Sequence, residues 1–316
     1  MKKTRILAND GIAPNGKQLL EEAGFEVITD KVAQEDLMTE LNNYDAIIVR
    51  SATKVRKDLI DASPNLKAIL RGGVGIDNID HEYAESKGIP TYNTPAASSE
   101  AVAELVFGHF FSLSRFLHRS NRELPAQDSD FNKLKKAYSE GQQLRGRTLA
   151  VIGFGRIGMA SARIGLGLGM KVLPVDPYKD GDTVKLDFFD GQSVDFKIKT
   201  VSLEEAISQA DYITIHVPGG DLIDKAEFAK MKDGVIIANT SRGGVINEDA
   251  LLEALDSGKV AGAALDVFVG EPKPRRDLLE HPRTSVTPHI GAATSEAQDN
   301  IGVELFEKIR DHFAQQ

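Results

Sequence analysis

Three glycines, Gly153, Gly155 and Gly158, stand at the spacing G-x-G-x-x-G, and an acid, Asp176, follows 18 residues after the last of them. An apolar strand pattern (Leu149 to Ile152) precedes the glycines. A helical pattern with Ile157, Ala160, Ile164 and Leu168 on one stripe follows them, and a second strand (Val172 to Val175) ends at Asp176 and Pro177. Each part has a job at a dinucleotide. Gly153 permits a tight turn, Gly155 lets the backbone approach a pyrophosphate, and Gly158 lets the helix pack close to the strand. The free N–H groups and positive dipole end at the helix start favour phosphate charge. Asp176 is placed to accept hydrogen bonds from both adenosine ribose hydroxyls and to repel a 2′-phosphate, which reads as NAD rather than NADP. A glycine triplet alone would equally make an ordinary turn; the strand before, the helix after and the acid at the next strand end make the nucleotide reading specific.

Other chemically useful residues also fall where strand patterns stop. In the first hundred residues these are Arg50-Ser51, Arg71-Gly72-Gly73-Val74-Gly75 and Asn93-Thr94. Later they are His216-Val217-Pro218, Thr240-Ser241-Arg242, Asp266 and Pro288-His289. In open parallel sheets, ligands bind beyond the carboxyl ends of the strands, so two such rims facing each other across a hinge would form a cleft. Imidazole is the side chain suited to moving a proton at neutral pH, and an arginine fork suits a carboxylate. His281 and His312 read as surface histidines, while His81, His109 and His118 carry no motif.

The elements that must hold these residues alternate. Strands at Arg5 to Ala8, Phe25 to Thr29, Ala46 to Arg50, Lys67 to Leu70 and Pro90 to Asn93 are separated by helices at Gly16 to Ala23, Gln34 to Leu41, Lys57 to Ala62 and Asp80 to Ser86. After the central strand–helix–strand come strands at Tyr212 to Val217, Val235 to Asn239, Gly262 to Val267 and Ser285 to Thr287. Helices at Leu203 to Ala210, Lys225 to Met231 and Asn247 to Ser257 lie between them. Such alternation predicts two α/β domains, each a doubly wound parallel sheet. Asn93-Thr94-Pro95 breaks the first run and is a candidate hinge. Ser98 is placed to cap one long helix reaching Arg119, apolar nearly all round and so buried between domains or subunits. Asn121 to Gly146 reads as a polar wandering segment. Residues 182–200 alternate up to Asp190-Gly191 and back, a β-hairpin signal, and a last helix from Ser295 should return to complete the first domain.

The chain has 316 residues and a net charge of −9, which fits two domains and argues against a nucleic-acid surface. It has no cysteine, so disulfides, thiol nucleophiles and Cys-ligated metals are excluded, and no metal site is expected. No run approaches the roughly 18 apolar residues of a membrane span, and the start lacks a signal-peptide core. The expectation is a soluble, cytoplasmic protein.

ILRGGVGIDNID, NTPAASSEAVAEL, VIGFGRIG, NTSRGGVINEDALLEAL, GAALDVFVGEP and TPHIGAATSEA occur in this order. Together they resemble the D-isomer-specific 2-hydroxyacid dehydrogenases, and VRSATKV with RGGVGIDNID resembles the D-3-phosphoglycerate dehydrogenases among them. The resemblance runs over roughly residues 44–310. It implies a Rossmann-type NAD domain (residues 98–289) inserted into a flavodoxin-like substrate domain (1–97 and 290–316), and a homodimer built through the long apolar helix. It further implies a catalytic trio: His289 as base, Glu271 holding its ring, and Arg242 clamping the substrate carboxylate. Asp266 is the implied partner of the nicotinamide carboxamide. Val74, Arg156, Ile157, His216, Val217, Pro218, Thr240, Ser241, Gly291 and Ala292 are implied around NAD. The substrate class is a phosphorylated 2-hydroxy acid, with Arg50, Ser51, Arg71, Gly72 and Gly73 around it. Arg50 and Arg71 would meet the phosphate, and Lys133 would reach in from the partner subunit. The activity implied is oxidation of D-3-phosphoglycerate to 3-phosphohydroxypyruvate, the first step of L-serine synthesis.

Some stretches depart from the pattern. The connection after Pro218 runs through Gly219-Gly220 straight into a helix, so a loop beside the cofactor is trimmed. The 182–200 hairpin is additional, and Phe131-Asn132-Lys133 stands where relatives carry Trp and Arg. The sequence stops at Gln316, where longer phosphoglycerate dehydrogenases carry a regulatory domain, so inhibition by free serine is not expected. Two other readings compete: turnover of another 2-hydroxy or 2-keto acid (glyoxylate, hydroxypyruvate or D-lactate), and an NAD-sensing corepressor with negligible turnover.

Overall fold

The structure, a computed structural model, describes residues 3–314. The chain divides into two compact units: one runs up to Ser99 and resumes at Ala292, and the other is Glu100–Gly291.

The first unit contains β1 (Arg5–Ala8), α1 (Pro14–Glu22), β2 (Glu26–Ile28), α2 (Leu37–Glu40), β3 (Ala46–Val49), α3 (Lys57–Asp61), β4 (Ala68–Arg71), α4 (His81–Ser86) and β5 (Thr91–Asn93). The next helix, α5 (Ser99–Ser114), carries the chain into the second unit. The five strands pair in parallel in the order β2-β1-β3-β4-β5, the flavodoxin-like order. β3 (AIIV) is buried at all four positions, as expected for a strand covered on both faces. The chain's last helix, α13 below (Ser295–Ala314), covers one face through Ile301, Leu305 and Ile309, packed with Ile6, Leu20, Ile48 and Leu70. It meets α1 at a glycine pair. A Cβ on Gly302 would lie 2.8 Å from Asn15 Oδ1 and 3.0 Å from Gly16 Cα, so backbone touches backbone there.

The second unit continues with α6 (Leu117–Glu123), α7 (Phe131–Ala137), β6 (Thr148–Ile152), α8 (Arg156–Gly167), β7 (Lys171–Val175), β8 (Gly181–Asp187), β9 (Ser193–Lys199), α9 (Leu203–Gln209) and β10 (Tyr212–Ile215). It ends with α10 (Lys225–Lys230), β11 (Val235–Asn239), α11 (Glu248–Ser257), β12 (Val260–Leu265), α12 (Arg276–Glu280) and β13 (Thr284–Val286), before α13 returns to the first unit. Six strands pair in parallel as β13-β12-β11-β10-β6-β7. The connections leave β6 in opposite directions, towards β7 on one side and β10 on the other, so the switch point lies between β6 and β10. The segment after β7 adds no strand to this sheet. It folds into the separate antiparallel hairpin β8–β9, paired from Gly181↔Lys199 to Asp187↔Ser193, and Val184, Leu186 and Ile198 pack against the α8 side of the core.

Two expectations fail around α5. The helix does not run to Arg119, because the backbone turns left-handed at Phe116 (φ 55°) and restarts as α6. The carbonyl of Ser114, which a continuing helix would bond to residue 118, accepts Gln142 N–H at 2.9 Å instead. Ser98 does not cap α5: its buried hydroxyl makes no hydrogen bond. Within the chain α5 is covered along one side. Val106, Phe107, Phe110 and Leu113 enter the core, while Glu104, Gly108 and Phe111 are exposed. The segment expected to wander contains α7, whose first turn is capped by Asp130 accepting from Lys133 N. His281 and His312 are half-buried rather than superficial: His312 bonds Tyr92 Oη at 3.2 Å, and His281 faces Asp256 at 3.4 Å.

Replacing Gly302 with Val should force α1 and α13 apart. A side chain inserted into a filled contact costs about 1–3 kcal/mol or more, so urea unfolding should show a lower midpoint. An unchanged midpoint would mean the two helices separate freely.

Candidate active site

All six strands of the larger sheet deliver residues to one edge. β6 ends into Gly153, where φ is +90° and a Cβ would collide with the His216 carbonyl. At Gly158 a Cβ would collide with the Gly153 carbonyl, so α8 lies directly on the turn. At Gly155 a Cβ would meet no protein atom within 4 Å. No side chain caps α8 and no acid occupies its first turn. An uncapped 12-residue helix starting behind a glycine suits a pyrophosphate. Two buried polar atoms at this edge, His216 Nδ1 and Thr240 Oγ1, have no hydrogen-bond partner in the protein. The residues therefore fit a dinucleotide.

Asp176 follows β7. Its two oxygens accept from Phe154 N (3.0 Å) and Tyr178 N (2.9 Å), which fixes the carboxylate while leaving further lone pairs on both oxygens for ribose hydroxyls. Arg156 and Pro177 are exposed beside it, and Ile157 is half-buried on the first turn of α8.

β11 ends at Asn239, a buried residue that organises the next turn. Its Oδ1 accepts from Ser241 N and Oγ, and its Nδ2 donates to the Arg242 carbonyl at 2.8 Å. Arg242 Nη1 bonds the Ser241 carbonyl at 2.7 Å. A Cβ on Gly243 would overlap the Phe268 carbonyl, so this loop lies against the one that follows β12. There Glu271 Oε1 accepts from Phe268 N at 2.9 Å, and Glu271 Oε2 lies 2.9 Å from His289 Nδ1.

The carboxylate gives that imidazole its orientation. With Nδ1–H donated to Glu271, Nε2 keeps a lone pair and can take a proton. The ring is about half exposed, at 46% of its side-chain surface. His289 also has φ +54°, a left-handed conformation that costs a non-glycine residue of order 1–3 kcal/mol and persists only where the surroundings over-determine it. The surroundings here are Asp266. Its Oδ1 accepts from Ile290 N (2.8 Å) and Thr287 Oγ1 (2.6 Å), and its Oδ2 accepts from Gly291 N (2.9 Å). Asp266 was expected to meet a nicotinamide carboxamide. It is 1% exposed and holds the His289 loop through three donors, so only remaining lone pairs are left for a ligand.

His216 ends β10. Its Nε2 bonds Ser161 Oγ (2.9 Å) and Thr214 Oγ1 (3.0 Å), and burial pushes its pKa down to about 3. Burial thus keeps the ring in its neutral form near neutral pH, where it serves as a hydrogen-bonding partner to the two hydroxyls. His109, on α5, belongs to no sequence motif. It bonds Ser285 Oγ (2.8 Å) and Thr287 Oγ1 (3.1 Å), and burial, partly opposed by Asp266, pushes its pKa down as well. Asn239, His109 and Thr287 are the residues that sequence reasoning missed. A histidine in an otherwise apolar helix was the one available signal.

The smaller unit has an edge of its own. β3 and β4 pair so that Val49 faces Arg71, and Arg50 follows one residue later. Asp10 accepts from Arg50 N and from Thr53 N and Oγ1, and Asn93 Nδ2 donates to the Val74 carbonyl at 2.6 Å. Gly72 and Gly73 are buried, the Arg71 guanidinium lies against Gly73, and Ser51 is exposed. Gly291 closes the larger unit, and Ala292 opens the return segment of the smaller, its carbonyl accepting from Gln298 Nε2 at 2.7 Å. Lys133 is exposed on α7, in the larger unit, away from the strand ends in sequence.

The buried histidines link stability to pH. Unfolded imidazole titrates near 6.5, whereas His216 stays neutral down to about 3, so between those values the unfolded chain binds the extra proton. Stability should fall as pH drops from about 6.5 towards 3, by up to about 1.4 kcal/mol per pH unit for such a group, with no contribution above 6.5. His216→Gln should lose melting temperature less steeply between pH 6.5 and 4 than wild type; equal slopes would show that His216 titrates normally.

The family model described as "D-isomer specific 2-hydroxyacid dehydrogenase, NAD binding domain" matches residues 107–291. The chain is 41% identical to the hydroxypyruvate reductase of Thermotoga maritima over 98% of both proteins. It is 38% identical to the D-3-phosphoglycerate dehydrogenase of Bacillus subtilis over 96% of this chain but 56% of that protein, so it spans about half the length of the phosphoglycerate dehydrogenases it matches. Its fold superimposes on the D-mandelate dehydrogenase of Rhodotorula graminis with a TM-score of 0.84, at 27% identity, covering 98% and 94% of the two chains. None of the helices among the described residues is long and apolar enough to cross a membrane. The chain belongs to the D-isomer specific 2-hydroxyacid dehydrogenase family and is an NAD-dependent enzyme of that family.

Proposed function

We propose that the chain oxidises the 2-hydroxyl of D-3-phosphoglycerate to 3-phosphohydroxypyruvate, the first step of L-serine synthesis. The observation that carries the chemistry is the 2.9 Å bond between Glu271 and His289 Nδ1, which leaves Nε2 able to take the hydroxyl proton. Oxidation of a secondary alcohol releases that proton from oxygen and a hydride from the same carbon. The nicotinamide, when bound, is the hydride acceptor. Arg242 clamps the substrate carboxylate through its fork and so fixes the face of the carbon presented. Gly155 and the start of α8 hold the pyrophosphate. Asp176 holds the ribose hydroxyls and disfavours a 2′-phosphate, which supports NAD over NADP.

The phosphorylated substrate rests on charge. A protein of net charge −9 must gather cations locally to hold a small trianion. Arg50 and Arg71 close adjacent strands of the smaller unit and are assigned to the phosphate, with Lys133 supplied by a partner subunit. The partner is a second copy of the chain docked through α5, where Phe111 and, beyond the break, Leu117 are exposed apolar residues.

A second reading has its own support. The T. maritima relative is a hydroxypyruvate reductase by name and matches over nearly its whole length. In that reading the substrate pair is D-glycerate and hydroxypyruvate, without a phosphate.

Replacing His289 with Asn should lower kcat by about a hundredfold to ten-thousandfold, the range for removal of a general base, with NAD affinity nearly unchanged; near-wild-type turnover would sink the assignment. A panel of 3-phosphoglycerate, glycerate and D-lactate, each with NAD and NADP, tests the substrate. NAD with 3-phosphoglycerate should give the highest kcat/KM. A charged hydrogen bond contributes about 1.5–3 kcal/mol, so Arg50→Ala or Arg71→Ala should raise KM for 3-phosphoglycerate by about tenfold or more while hardly affecting glycerate. Preference for glycerate would establish the second reading. Equal losses on both substrates would mean the arginines support the fold.

A further inference from the structure

Behind the exposed catalytic loop a largely buried chain of hydrogen bonds passes through α5, and each proton in it can be placed. Thr287 Oγ1 donates to Asp266 Oδ1 at 2.6 Å, so its oxygen must accept from its other neighbour, His109 Nε2, at 3.1 Å. His109 therefore carries its proton on Nε2, and its Nδ1 must accept from Ser285 Oγ at 2.8 Å. Ser285 and Thr287 are two residues apart at the end of β13 and present both hydroxyls to the same ring. The sequence of donations, Ser285 to His109 to Thr287 to Asp266, ends on a carboxylate that also binds Ile290 N and Gly291 N. Those two amides follow His289, whose backbone is left-handed at φ +54°. His109 is 5% exposed and Asp266 1%, so water does not readily substitute for a missing partner. The imidazole of His109 is kept neutral by burial. A protonated ring would turn Nδ1 into a second donor, and Ser285 Oγ would then have to accept from it.

We propose that His109 and Thr287 are positioning residues for the reaction: together they fix the Asp266 carboxylate, and through it the left-handed turn that presents the His289 ring to Glu271 and to the substrate. In this role neither residue needs to touch substrate or cofactor. The proposal rests on the reading of His289 as the proton acceptor. It adds that the geometry of this base is set from α5, a helix whose other face is exposed on the chain.

The test compares variants that remove a hydrogen bond with variants that keep it. Thr287→Val removes the hydroxyl at constant shape and Thr287→Ser keeps it. His109→Leu removes the donor, whereas His109→Gln keeps an amide N–H close to the position of Nε2. A misplacement of about 1 Å near the chemistry costs on the order of a hundredfold in rate. Thr287→Val and His109→Leu are expected to lower kcat by roughly a tenth of that range, about tenfold, with KM for NAD changed less than about twofold. Thr287→Ser and His109→Gln should recover most of the loss. The double variant His109→Leu/Thr287→Val should be little worse than the poorer single one, since both act on one chain. Wild-type kcat in folded Thr287→Val would overturn the proposal, as would equal losses in the Leu and Gln variants with multiplicative effects in the double variant. If His109→Leu fails to fold, the two Thr287 variants carry the test alone. A second readout separates this inference from the assignment of the base. In ¹⁵N spectra of histidine-labelled protein, His289 should be the Nδ1–H tautomer in wild type and a tautomer mixture in Thr287→Val. An unchanged spectrum would overturn the positioning role, whereas full activity of His289→Asn would remove the base and leave the spectral result standing.

Discussion

Parallel pairing of β13-β12-β11-β10-β6-β7 forces every strand of the larger sheet to end at the same edge, and the rest of the site depends on that. Arg242, Glu271 and His289 are 47 residues apart at their extremes. They come together because their loops leave neighbouring strands, β11, β12 and β13, in one direction. The same constraint sets Gly153 beside His216, since β6 and β10 flank the switch point. An antiparallel strand at any of these places would have sent its loop to the opposite edge.

Within that frame, buried polar groups do the fine placement. Asn239 ties three groups of its own turn, and Asp266 ties two amides and a hydroxyl of another. Leaving such groups unpaired away from water costs about 1–3 kcal/mol each, so each buried side chain restricts its loop to the few conformations that satisfy it. This is how a strained residue such as His289 can be held at an exposed rim. Burial also sorts the histidines. His109 and His216 are driven neutral and serve as fixed hydrogen-bonding partners, which leaves His289, half in solvent and paired with a carboxylate, as the ring at this edge with an accessible lone pair.

The helix α5 joins these themes. One stripe packs Val106, Phe107, Phe110 and Leu113 against the sheet, and His109 on the same side reaches the catalytic loop. Phe111 faces out. The hairpin β8–β9 occupies the chain where a further strand would extend the sheet beyond β7, and its tip leaves Phe188 and Phe189 exposed.

Local pattern determined much of this. Alternating runs pointed to the parallel sheets, because an amphipathic helix such as that of residues 248–257 carries a helical period, and a short β-branched run such as AIIV between two helices suits a strand buried on both faces. The glycine spacing determined the turn before α8, where close backbone approaches exclude any Cβ at Gly153 and Gly158. The hairpin at 182–200 was likewise legible, since its alternation and its Asp190-Gly191 turn are local. Tertiary structure decided what depends on a partner distant in sequence. The break at Phe116 follows from Gln142 taking the Ser114 carbonyl, a competition between residues 28 apart. The roles of His109 and Thr287 depend on a contact spanning 178 residues. Asp266 could be read from sequence as a site residue, but its commitment to the amides of Ile290 and Gly291 could not. A carboxylate's choice between ligand and backbone is set by which donors reach it first, and only the folded sheet brings those donors within 3 Å.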